Sequence, residues 1–91
     1  MKTLARIVIS DMLFFDLCDE ETMDSRTALK RSEYATYHLS ECSEEEKQAV
    51  LEIIAEMRQE AVKRNDHASI EVLDQIPLDA WREEDEETDG A

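Results

Sequence analysis

His38 and Cys42 stand four residues apart, a spacing that on a helix turns an imidazole and a thiol to one side, where both could ligate a metal ion. A structural zinc site needs four such donors in tetrahedral array. The remaining soft donors, Cys18 and His67, stand at no recognisable ligand spacing. No metal site is expected, and His38 and Cys42 read as ordinary residues near a helix end. Carboxylates are the other chemistry on offer. Asp19/Glu20/Glu21, Glu44/Glu45/Glu46 and Glu52/Glu56/Glu60 could each be drawn into acid–base work or into holding a divalent cation. Acid–base pairs need unlike environments that drive two pKa values apart, and these carboxylates fall on faces expected in water. Asp11 and Asp16 differ, because each interrupts an apolar segment, as a functional group or as a solvent-facing break. A Glu-x-x-His pair on an inward helix face, a phosphate-cradling glycine loop, a nucleophile elbow and a candidate triad are all missing. The sequence predicts no catalytic residue, no metal and no cofactor, hence a protein that is not an enzyme.

The element most clearly written in the chain is a helix over Ser43–Arg64. Ser43 and Glu46 form a capping box, Glu44 to Glu46 sit at the positive end of the helix dipole, and Lys63 and Arg64 at the negative end. Val50, Ile54, Met57 and Ala61 recur at helical spacing, widened by Leu51 and Ile53, and require a covering partner. Gln48, Glu52, Glu56, Gln59, Glu60 and Lys63 make the face turned to water.

Thr3 to about Cys18 is the most apolar segment. Its helical reading lines up Leu4, Val8, Met12 and Phe15, with Ala5 alongside; Ile7, Ile9, Leu13, Phe14 and Leu17 spread apolar surface nearly all the way round. Such a helix is buried by several neighbours or serves a second chain. Leu4–Ser10 also suits a short strand, because Ile7, Val8 and Ile9 are β-branched, but no partner strand is visible elsewhere. A second helix, capped by Asp24 or Ser25 and running to about Leu39, has the small inward stripe Ala28, Ser32, Ala35 and Leu39 and contains the one locally basic stretch, Arg26, Lys30 and Arg31. The short Ser40–Ser43 link predicts that this helix pairs antiparallel with the next. After Asn65 and Asp66, Ile70, Leu73 and Ile76 read as a short helix ended by Pro77, with Leu78 and Trp81 folding back to close the core.

The totals agree with one small all-α domain: a bundle of three to four helices over residues 1–81, followed by an acidic disordered tail, 82–91. One Gly and one Pro in 91 residues leave little material for hairpin turns. The tail sets one Arg against six acids and buries nothing, so truncation after Trp81 should leave the fold intact. Cys18 and Cys42 belong to no disulfide framework, and the charged N-terminal run makes neither a signal peptide nor a membrane span, so a reduced, cytoplasmic protein is expected.

Function is left to the surface. With 24 acids against 10 bases the net charge is −14, which repels nucleic acid and anionic membranes and favours a basic protein partner. The expected contact residues are Glu44, Glu45, Glu52, Glu56 and Glu60. The first reading is an acidic helical binding module that neutralises a basic partner, as immunity proteins, antitoxins and phage inhibitors do, with a DNA mimic as one variant. The second is a structural module whose apolar N-terminal helix packs in a homodimer. Against both stands the plainer reading that the charges only keep a small domain soluble.

Overall fold

The computed structural model describes residues 2–81, which form four helices: α1 Lys2–Leu17, α2 Ser25–Ser40, α3 Glu44–Arg64 and α4 His67–Trp81. No strand occurs among the described residues, so Leu4–Ser10 is helical. The tail proposed for residues 82–91 lies outside them. No helix among the described residues is long and apolar enough to cross a membrane.

The boundaries follow from local chemistry. At the start of α3 the Ser43 hydroxyl accepts from the Glu46 N–H at 3.1 Å, and the Glu46 carboxylate accepts from the Ser43 N–H at 2.9 Å. Ser43→Ala removes half of this reciprocal cap and should cost about 1 kcal/mol, read by urea unfolding followed through the fluorescence of Trp81, the single tryptophan. Asn65 ends α3 in the left-handed region (φ 57°, ψ 39°), which Asn tolerates, and the next N–H, of Asp66, returns to the Ala61 carbonyl at 2.9 Å. Asp66 then opens α4, accepting from the Ser69 N–H and hydroxyl, which satisfies the one buried polar side chain among the described residues. Asp24 opens α2 in the same way, through the Arg26 N–H.

The core joins Ala5, Ile9 and Met12 of α1, Leu39 of α2, Val50, Ile53, Ile54 and Met57 of α3, and Leu73, Ile76 and Ala80 of α4. The predicted inward stripe of α3 is therefore the observed one. That of α1 is rotated: Ile9 is fully buried, whereas Leu4 is 68% exposed. An all-round apolar helix lets neighbours, not periodicity, choose the buried face, and Ala5 allows closer approach than Leu4 would.

The packing order also departs from expectation. α1 packs on α2, α3 and α4, and α4 packs on α2 and α3, while α2 and α3 barely touch despite their short link. The two most apolar helices take the middle and the two most polar flank them. α2, with its narrow small-residue stripe, has too little apolar surface to pair with α3 at the expense of α1 and α4.

Pro77 does not stop α4, which continues to Trp81. The ring removes the N–H that would reach the Leu73 carbonyl, yet the last turn holds because it buries Ala80 and lets the Trp81 indole N–H donate to the Leu39 carbonyl at 3.2 Å. Trp81 thus closes the end of the bundle, with the Lys47 ammonium 5.3 Å from its ring centre. Leu78 does not share in this; it faces out, about half exposed.

Candidate partner-binding surfaces

Glu52, Glu56 and Glu60 follow one another at i, i+4 along α3 and stand in a file, as the sequence requires. α1 lies beside that file and brings two cations, themselves four residues apart. The Lys2 ammonium stands 3.3 Å from Glu52 and 3.2 Å from Glu56. The Arg6 guanidinium stands 3.4 Å from both Glu56 and Glu60. Hydrogen bonding to Glu56, then to Glu52, raises the Lys2 pKa above its ordinary value. Three carboxylates and two cations leave a single excess negative charge along this face.

Glu44 and Glu45 occupy the exposed first turn of α3, where Glu44 accepts from the Gln48 side chain at 3.2 Å. No cation pairs with either among the described residues. The five acids named from sequence therefore divide into a file stitched to α1 and a pair at a helix end.

Two grooves run along the flanks of α2, and their chemistry differs. Between α2 and α4 the walls carry Asp16, Glu33 and Asp79, with Leu29 and Tyr37 beside them and no basic residue among the described residues. Leu29 and Tyr37 are each 58% exposed. Between α1 and α2 the groove is mainly apolar, formed by Val8, Phe15, Tyr34 and Leu39, with Asp11 from α1 and Arg31 and His38 from α2. Asp11 and Asp16, the two carboxylates set apart in the sequence, thus fall in different grooves. The Asp16 groove had a legible signal. Ile9, Met12 and Asp16 are spaced three and four, so Asp16 continues the buried line of α1 to the point where the core opens to water. Glu33 and Asp79 had none, because their approach depends on the packing of α2 against α4.

His38 lies between Tyr34 and Tyr37, with ring centres 4.4 and 5.3 Å away in edge-on contact. Cys18 and Cys42 are free thiols, each partly buried. Burial, then the charge of Glu46, pushes the Cys42 thiol pKa up, which disfavours the nucleophilic thiolate. Among the described residues no group of three or more His, Cys, Asp or Glu side chains could hold a metal ion.

Four aspartates make the fold sensitive to acid, Asp19 among them, held below its ordinary value by hydrogen bonding to Thr22. Asp66 is held below the ordinary value of 3.8 by the Ser69 hydroxyl and N–H, then by Arg64. Asp24 is held down by the Thr27 hydroxyl and the Arg26 N–H, and Asp74 by Arg58, whose guanidinium reaches both its oxygens, at 2.8 and 3.3 Å. A depressed carboxylate contributes stability above its unfolded pKa and loses it as pH falls through the folded one. Net negative charge acts the other way, since protonating the remaining acids relieves repulsion. The melting temperature should therefore rise as pH falls from 7 towards the isoelectric point near 4.3, then drop below about pH 3.8. Asp66→Asn should flatten that final drop in a pH series of thermal melts; an unchanged drop would mean the cap plays no part in it.

No family model, no curated protein and no solved structure matches this chain.

Proposed function

We propose that the chain is a non-catalytic binding module that takes a basic protein partner through the α2–α4 groove, as a small inhibitor or antitoxin-like protein would. The observation that carries this reading is the groove's composition: Asp16, Glu33 and Asp79 beside exposed Leu29 and Tyr37, with no cation among the described residues, in a chain of net charge −14. A Lys or Arg side chain has a matching form, an apolar stem to lie along Leu29 and Tyr37 and a charged head to sit among the carboxylates. Glu44 and Glu45 add to the long-range field that speeds encounter. Glu52, Glu56 and Glu60 contribute less, because Lys2 and Arg6 cancel most of their charge locally. A partner whose basic cleft otherwise holds nucleic acid is one case of this reading.

The test uses the full chain as bait at low salt. A captured basic protein should be released by high salt, and the combined variant Asp16→Lys, Glu33→Lys, Asp79→Lys should bind it about 10- to 100-fold more slowly. Glu44→Lys with Glu45→Lys should slow binding only modestly. Capture indifferent to salt, or equal in the groove variant, would refute the reading. Reversing Glu52, Glu56 and Glu60 is a poorer probe, since it sets like charges against Lys2 and Arg6. Calorimetry of that variant should show a lowered melting temperature, and an unchanged one would mean the α1–α3 ion pairs contribute nothing.

A further inference from the structure

α1 presents apolar side chains on two sides. Ala5, Ile9 and Met12 enter the core, while Leu4, Ile7 and Phe14 remain about half or more exposed on the outer face. That outer face runs into the α1–α2 groove, whose walls add Val8, Phe15 and Tyr34. Leu4 and Val8 also line the adjoining hollow towards Val50 of α3, where Glu46 stands at the margin, so the mainly apolar surface continues across three helices. Single exposed apolar residues are ordinary, but a connected strip of them is what a binding surface requires.

The charges in the groove select its occupant. Asp11 stands on the α1 wall and Arg31 on the α2 wall, and neither has an ion-pair partner among the described residues. The groove is thus charge-balanced, in contrast to the wholly acidic one on the other flank of α2. A strongly basic partner gains little here, whereas a surface with one acid and one base on opposite walls is complementary to itself. We infer that this face joins two copies of the chain across a twofold axis running along the groove. That axis lays α1 of each copy over α2 of the other, so Asp11 meets Arg31 of the second copy and Arg31 meets its Asp11, the reciprocal pairing that a closed dimer demands. α2 also carries Arg26 and Lys30, which lessen the repulsion that two chains of charge −14 meet where this helix approaches the second copy. Dimerisation at this face leaves the α2–α4 groove open, so it stands or falls separately from the basic-partner reading.

Sedimentation of the full chain over a concentration series reaching the millimolar range tests it. The wild-type protein should show twice the chain mass. Asp11→Arg and Arg31→Asp should each weaken the dimer roughly tenfold or more, since symmetry turns one substitution into two like-charge contacts. The double variant Asp11→Arg, Arg31→Asp should dimerise again. Mixing the two single variants should give a heterodimer, because both ion pairs are then restored between chains, an outcome no effect within one chain produces. Circular dichroism should show all three variants folded, as both positions are exposed and neither is ion-paired among the described residues. A wild-type monomer throughout the series, single variants that dimerise like wild type, or a mixture that stays monomeric would overturn the proposal; a monomer would leave the groove to some other occupant.

Discussion

Ile9→Ala should lower the free energy of unfolding by about 2 to 5 kcal/mol, a large part of the 5 to 15 kcal/mol that holds an ordinary domain together. Ile9 is 0% exposed and lies in the cluster that joins α1 to α3 and α4, so truncation leaves a cavity that rigid helices close only in part. Leu4→Ala is the matched control. The spacing of apolar residues assigns Leu4 to the inward stripe, but it is 68% exposed, and its truncation should change stability by no more than about 0.5 kcal/mol. Urea unfolding of both variants, followed by Trp81 fluorescence, separates the two orientations of α1. Equal losses, or a larger loss at Leu4, would place the helix a third of a turn from where it is described.

Pro77→Ala should stabilise the protein. A proline inside a helix costs about 3 kcal/mol through the lost hydrogen bond and the clash of its ring with the carbonyl four residues back, here that of Leu73. The substitution also frees the unfolded chain, which returns about 0.4 to 1 kcal/mol of that gain. A net rise of about 2 kcal/mol is expected, equivalent to a melting temperature higher by roughly 8 to 16 °C for a domain this small. Thermal denaturation decides it. An unchanged or lower melting temperature would mean that the half-buried ring of Pro77 packs well enough to offset the missing bond.

Much of the fold was legible because several signals coincide at one place. In α3 the cap residues, the charges at each end and the apolar stripe all agree, and the helix forms as read, with Val50, Ile54, Met57 and Ala61 buried. α1 was legible as a helix but not in orientation, since nearly every side of it is apolar. Pro77 misled because a local rule about backbone donors was outweighed by contacts 42 residues away, between Trp81 and Leu39. The candidate sites were harder to read for the same reason. Helical spacing brings Glu52, Glu56 and Glu60 together, yet whether that face is free depends on Lys2 and Arg6, more than forty-five residues earlier in the chain. The groove containing Asp16, Glu33 and Asp79 draws one acid from each of three helices, and no pattern within a single helix could announce it.

On the proposed reading, the working negative surface lies in the α2–α4 groove, whose carboxylates have no ion-pair partner among the described residues, and not along the Glu52–Glu60 file. Nuclear magnetic resonance of the isotopically labelled chain, titrated with a short lysine-rich peptide at low salt, tests it residue by residue. The largest amide shift changes are expected at Asp16, at Leu29 to Ser40 along α2 and at Asp79, with small ones from Glu52 to Glu60. Changes centred on Glu52, Glu56 and Glu60, or spread evenly over every acidic residue, would contradict it.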